Sequence, residues 1–496
     1  MPAPGRMTGE RRPGLPGYAR YAGLAGSALL ALAATRIGAR PGAADLDGLP
    51  AAADLPWLLA AVAGLAVLAL AWWRVDRLPA LPPTRWLLVT AALWAVPLLA
   101  TTPLASRDVY AYACQGASAA AGLDPTTTGP AVLPCPWLDS VPPIWRDAPS
   151  PYGPLAGLVS HAATALAGDR LAVAVGVLRV AALLGVVLGV VFGGRLARAC
   201  GVPVGRAAWL GLATPLVLLH VVSGAHHDAL LTGLIVAALG VAVASPRAPA
   251  RRPGGALLPG VLAGVLLGAA AAVKVTAVLA LPFAVLALLA ASRPASVGRL
   301  AGAAGTVTAG AAGAFAALSV AAGSGFGFLS ALGRTGDLTQ WTSPPSAVGM
   351  TIGYALRALG LPGGGVALAV VRLLALVALA AFVATVWWRA WRAPAGSARC
   401  AAVRGAGLAF AALALLGPVF YPWYALPALA LLAVSTVDAR GRTWLAGAAT
   451  ALAFLVLPNG AGLAARTKLP GAVLVTVALG VAAWRLVRNR GLARGA

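Results

Sequence analysis

The sequence predicts an all-α polytopic membrane protein: a bundle of about 12–14 transmembrane helices with a long first outer loop that carries short surface helices. Three observations predict it. Hydrophobic residues make up 60% of the 496 positions and charged residues only 10%, against about 25% charged in a soluble domain. The mean hydropathy is +0.86. Apolar runs of about 20 residues, enough to cross a bilayer, recur along the whole chain. A soluble globular enzyme and a disordered chain are both excluded.

Taken in order, residues 1–19 are basic and rich in Pro and Gly, and read as a cytoplasmic N-terminus. No cleavable signal peptide is read there, because Tyr21 onward continues as a first span. Residues 20–487 read as one transmembrane domain. Its apolar runs lie near 20–38, 56–73, 84–103, 171–193, 207–222, 228–245, 255–272, 275–291, 299–322, 366–388, 404–419, 424–437, 443–457 and 470–487. The shorter runs suit tilted helices or half-helices. Residues 488–496 read as a cytoplasmic tail. No internal repeat is visible.

The net charge of +24 comes from 37 Lys and Arg against 13 Asp and Glu. With the N-terminus inside, most of the basic residues fall in inner segments, among them Arg74, Arg77, Arg195, Arg198, Arg389, Arg392, Arg485 and Arg488. Most acids fall outside. This is the positive-inside pattern, so the charge orients the protein in a bilayer. A nucleic-acid partner is excluded, since no solvated domain gathers the basic residues.

Two outer loops exceed what a helix hairpin needs, 104–170 and 323–347. In the first, SRDVYAYACQG reads as a short helix capped by Ser106. Asp108, Tyr112 and Gln115 then share one face at i, i+4 and i+7. Cys114 and Cys135 lie in this loop, where a disulfide and two free thiols are equally open readings. Cys200 and Cys400 fall on the inner side.

Asp108 sits at the outer surface beside Arg107. It reads as a general base for a sugar hydroxyl, or as compensation of the helix dipole in a first turn. The outer cations Arg107, Arg146, Lys274 and Arg334 run against the positive-inside trend. They suit a phosphate or pyrophosphate, or pairing with neighbouring acids such as Asp147 and Asp337. Lys274 falls at a turn within an apolar stretch, where an ionisable residue marks a site by default. His226, His227 and Asp228 could bind a sugar, a phosphate or a metal, or form a solvated turn. Tyr152, Trp341, Trp423 and Tyr424 could stack on sugar rings or belong to the interfacial aromatic belt. No Walker A, CxxC, GxSxG or HExxH pattern occurs. No cofactor is signalled, and a divalent metal is left open.

These elements carry a resemblance. SRDVYAYACQG followed by AGLDPTTTGP, SPYGPL at 150–155, HHDAL at 226–230, KVTAVLALP at 274–282 and Pro422–Tyr424 occur in one order. Together they resemble the actinobacterial polyprenol-phosphate-mannose-dependent alpha-1,6-mannosyltransferases, which are GT-C fold glycosyltransferases. The resemblance implies a polyprenyl-phosphate mannose donor, a mannan or glycolipid acceptor, and a site on the outer face of the plasma membrane. It maps the acidic residue of the first outer loop onto Asp108. Arg107, Arg146, Lys274 and Arg334 are then candidates for the donor phosphate. Tyr112, Gln115, Tyr152, His226, His227, Asp228, Trp341, Trp423 and Tyr424 are candidates for sugar or acceptor. The competing reading is a secondary transporter or flippase of a lipid-linked or anionic substrate. It needs ionisable residues at the bilayer midplane, whereas the unusual residues here collect on one face.

Overall fold

The computed structural model describes residues 14–42, 51–133, 135–244, 257–290 and 296–494. Among them the chain is helical throughout, with one isolated antiparallel bridge between Val456 and Gly462. It is an all-α polytopic membrane protein. Six helices are long and apolar enough to cross a membrane: Ala52–Asp76, Leu171–Ala199, Val297–Ala322, Gly364–Arg392, Ala398–Leu416 and Lys468–Asn489. A seventh span is bent. The run expected as continuous over 207–222 breaks into Val204–Leu212 and Pro215–Ser223, which meet at 48°. Pro215 lacks the amide proton a continuous helix needs, and Thr214 caps the new start by accepting from the Val217 amide at 3.2 Å. The second half closes with π-helical geometry over Leu218–Ser223.

The first apolar run forms the 23-residue helix Leu15–Ile37, and others form shorter helices, including Thr84–Leu99, Asp228–Val243 and Leu257–Val273. Two begin as 3-10 turns, Val275–Ala280 before Leu281–Leu289 and Pro422–Ala425 before Leu426–Ala433. Each of these α-helical segments has Pro in its first turn, where the missing amide proton costs nothing. The sequence assigned nothing between 347 and 366. Helix Pro344–Ala358 fills most of that interval and packs on Gly364–Trp391 and Lys468–Arg494.

Apolar side chains point outward in a way only lipid explains. Helix Gly364–Trp391 exposes Val366, Val370, Leu373, Leu374 and Val377. Inside, small residues let backbones touch. A side chain on Gly233 would meet the Gly185 carbonyl at 2.2 Å, so the Leu171–Ala199 and Asp228–Val243 helices cross at contact distance. Trp72 and Trp209 each donate an indole N–H to the other's carbonyl, at 3.1 and 3.2 Å, within the core that holds the second span to the broken one.

The loop over 104–170 carries two helices of more than ten residues, Asp108–Ala120 and Pro154–Ala167. Asp108–Ala120 packs on Pro154–Ala167, and Gly116 permits it: a Cβ there would sit 2.1 Å from the Ser160 carbonyl oxygen. Cys114 and Cys135 are joined by a disulfide, which ties the middle of this helix to the following loop.

Candidate active site

Four separate segments converge at the start of helix Asp108–Ala120. They are that helix, the 145–152 loop, the turn before Asp228–Val243, and the 421–424 turn. The first, second and fourth of these enclose a cavity of about 30 Å³ lined by Asp108, Tyr112, Gln115, Trp145, Tyr152 and Trp423, among others, and the turn before Asp228–Val243 packs behind it through His226. The i, i+4, i+7 face expected on this helix is therefore the face that lines the cavity.

The N-cap position falls at Arg107 and not at Ser106 as expected, although Ser106 Oγ accepts from the Asp108 amide at 3.1 Å just ahead of the helix. The Asp108 carboxylate accepts from the Trp145 indole at 3.1 Å through Oδ1. Its Oδ2 lies 3.8 Å from His226 Nδ1. Only 16% of the side chain is exposed. Burial raises the Asp108 carboxyl from 3.8 to about 6, against the opposing hydrogen bond from Trp145; the nearby Asp228 adds to the rise. Asp108 is thus ionised at neutral pH yet basic enough to take a proton.

His226 is fully buried and stacked on Trp423 at 3.8 Å between ring centroids. Burial, together with the positive charge of Lys274 and the other histidines, holds it well below its ordinary range, so it is neutral beside Asp108. Its Nδ1 also lies 3.3 Å from the Tyr112 hydroxyl, which in turn meets the Tyr152 hydroxyl at 3.0 Å. Burial pushes both phenols well above 10. His227 packs against the Tyr112 ring at 4.1 Å and burial lowers it to about 3.

Asp228 and Lys274 form a buried ion pair, Nζ to Oδ1 at 2.9 Å. Lys274 stands at the break after Leu257–Val273, as its position in the apolar stretch suggested, and its ammonium lies 3.7 Å over the Tyr424 ring. The second oxygen of Asp228, Oδ2, is buried with no hydrogen-bond partner. Tyr424 lines the Asp108 cavity, so the charge pair lies behind that ring, outside the cavity lining.

Other candidates are placed elsewhere. Arg107 is 3% exposed and turns away, donating to the Arg40 carbonyl at 2.9 Å and the Asn459 carbonyl at 3.3 Å. Its role here is to tie loops together, not to hold a phosphate in the cavity. Arg146 donates to the Val141 and Asp139 carbonyls and does not line the cavity, although its neighbour Trp145 does. Trp341 donates to Thr467 at 3.0 Å and packs with Met350 and Ala472, away from Asp108. The side chain of Arg334 lies outside the described residues. Among the described residues no three His, Cys, Asp or Glu side chains are grouped to hold a metal ion.

Two contributors lie outside the set of site residues read from sequence. Trp145 is in sequence one of several outer-loop aromatics that suit either sugar stacking or the interfacial belt. Arg179 is an arginine inside the apolar run 171–193. It donates to the carbonyls of Leu99 at 2.8 Å, Thr101 at 2.9 Å and Ser223 at 3.0 Å. Ser223 Oγ accepts from the Leu104 amide at 3.0 Å. The chain entering Asp108 and the chain entering His226 are thereby fastened to each other. Each passes through a left-handed alanine, Ala105 at φ 59° and Ala225 at φ 54°, a conformation that costs a non-glycine residue about 1–2 kcal/mol.

Residues 20–290 match the family described as alpha-(1->6)-mannopyranosyltransferase, N-terminal domain, and residues 345–488 match the MptB C-terminal domain. A probable alpha-(1->6)-mannopyranosyltransferase of Mycolicibacterium smegmatis is 34% identical over 444 residues, covering 84% of this chain and 78% of its own. An alpha-(1->6)-mannopyranosyltransferase of Mycobacterium tuberculosis is 33% identical over 84% of this chain and 78% of its own. Alpha-(1->6)-mannopyranosyltransferase B of Corynebacterium glutamicum is 31% identical over 86% and 74%.

Proposed function

The chain belongs to the alpha-(1->6)-mannopyranosyltransferase family, and from that premise we propose that it moves mannose from polyprenyl-phosphate mannose to a mannan or glycolipid acceptor at the outer face of the plasma membrane. The observation that carries this reading is Asp108: a shielded carboxylate, oriented by Trp145, at one wall of a small aromatic cavity. The acceptor's 6-hydroxyl donates its proton to Asp108. Its oxygen attacks the anomeric carbon while the bond from that carbon to the phosphate oxygen breaks. The electron pair leaves with the polyprenyl phosphate, so a beta-linked donor gives an alpha product in one displacement. A positioned base supplies about 10²–10⁴-fold to such a step.

Lys274 is the cation behind the cavity. Charge growing on the leaving phosphate is stabilised by a preoriented ammonium more than the ground state is. Tyr424 and Asp228 hold that ammonium in place. Asp228 cannot serve as the base while Lys274 engages it. The positive-inside charge pattern supports an outward site, because the first loop then lies outside.

The test is transfer from labelled polyprenyl-phosphate mannose to a short alpha-mannoside by the purified protein in lipid nanodiscs. Expected is an alpha-1,6-linked product with no nucleotide sugar present. A protein that uses only GDP-mannose, or that moves the lipid donor across vesicles without transfer, overturns the reading.

A further inference from the structure

A second cavity, of about 380 Å³, lies beside the first and shares Gln115 and Tyr152 with it. It is bounded by the 115–126 segment, helix Pro154–Ala167 and the outer end of Val297–Ala322. Its size falls in the range of small-molecule sites, about 300–1,000 Å³, whereas the Asp108 cavity has room for little more than the reacting groups.

The chemistry of its lining is selective. Among the described residues no Lys or Arg lines it, and Asp124 does. One oxygen of Asp124, Oδ1, accepts from the Thr126 amide at 2.9 Å and hydroxyl at 2.7 Å, which leaves Oδ2 for a ligand. Gln115 is 8% exposed, and its carbonyl oxygen accepts from Ser150 at 3.1 Å, so the amide NH₂ is left to donate. His227, 4% exposed, adds a ring nitrogen, and Tyr152 adds an aromatic face. A phosphate or carboxylate entering here would meet the Asp124 charge with no cation to offset it. A neutral polyhydroxyl ligand finds donors, an acceptor and a stacking face.

We propose that this second cavity is a glycan subsite that holds the non-reacting sugar units of the acceptor, while the hydroxyl to be glycosylated reaches past Tyr152 to Asp108. The proposal rests on the mannosyltransferase reading for what the acceptor is. It separates the two substrates: the donor's phosphate faces Lys274, which does not line this cavity, and the acceptor chain enters between Gln115 and Asp124. The acceptor is then selected by length as well as by its reacting unit.

Gly157 offers the perturbation. It lines the cavity on helix Pro154–Ala167, and a Cβ there meets nothing within 4 Å. Gly157→Leu therefore grows into the cavity, and leucine is a better helix former than glycine. Binding of alpha-1,6-mannotriose to the full protein in nanodiscs is measured by titration without donor. Gly157→Leu should weaken it at least tenfold. Asp124→Asn keeps the Oδ1 turn contacts and should weaken it severalfold. Neither change should alter the elution profile. Wild-type binding that survives Gly157→Leu unchanged, absence of mannotriose binding, or displacement of mannotriose by polyprenyl phosphate alone each overturns the subsite. Should transfer to a single alpha-mannoside proceed while mannotriose binding is absent, this inference fails and the proposed function stands. Mannotriose binding without transfer from the lipid donor has the opposite meaning.

Discussion

Asp108→Asn separates catalysis from stability in one side chain. The Asn side chain keeps an oxygen for the Trp145 indole, which now donates to Oδ1 at 3.1 Å, so local geometry is retained. The chemistry is not: an amide takes no proton, and transfer should fall by about 10²–10⁴-fold. Stability should move the other way. Burial raises the folded Asp108 carboxyl from 3.8 to about 6. The folded protein then holds this proton to higher pH than the unfolded chain does. Stability therefore falls as pH rises from about 4 to 6, and the full cost persists above that. Moving this carboxyl from 3.8 to about 6 is worth about 3 kcal/mol. Asn carries no such cost. Thermal unfolding in nanodiscs at pH 7.5 should show the variant more stable than wild type, with the gap closing below about pH 4. The wild-type rate should climb through pH 6 as Asp108 ionises. A variant that loses activity and is also less stable at pH 7.5 would mean the carboxylate is held favourably, and the account of its basicity fails. A variant with wild-type rate places the base elsewhere.

Lys274→Met leaves the Asp228 carboxylate buried without its cation, which should destabilise the protein by about 3–5 kcal/mol; unfolding midpoints check it, and adding Asp228→Leu should recover much of the loss without restoring transfer. Gly116→Val drives a side chain into the Ser160 carbonyl and should shift helix Asp108–Ala120 off Pro154–Ala167, lowering transfer more than tenfold while mannose-donor binding at Lys274 changes little; separate kcat and KM values report it. Cys135→Ala opens the disulfide to Cys114, which closes a short loop and should cost about 2–4 kcal/mol; the same drop should appear when wild type is treated with a reductant.

Much of this protein is settled by composition and order along the chain. A charged share of 10% leaves no way to cover a soluble surface, so the backbone must satisfy itself in helices within lipid. The alternation of basic and acidic segments predicts an orientation in the bilayer from sequence alone. The local spacing of Asp108, Tyr112 and Gln115 put them on one face, because 3.6 residues per turn is a property of the backbone.

What local spacing cannot reveal is which way a long side chain turns once distant segments close around it. Arg107 and Lys274 look alike as outer cations in sequence. The fold sends Arg107 to two backbone carbonyls and Lys274 to Asp228, 46 positions away. Trp145 and Trp341 are both loop tryptophans; one meets Asp108 and the other Thr467. The broken span near Thr214 and Pro215, the left-handed alanines before both site segments and the Arg179 clamp likewise arise from packing between helices far apart in the chain. Hydrophobicity and helical period decided that a site lies on one face of this membrane protein. Only the tertiary contacts decided which carboxylate meets the Trp145 indole and which is paired with a lysine.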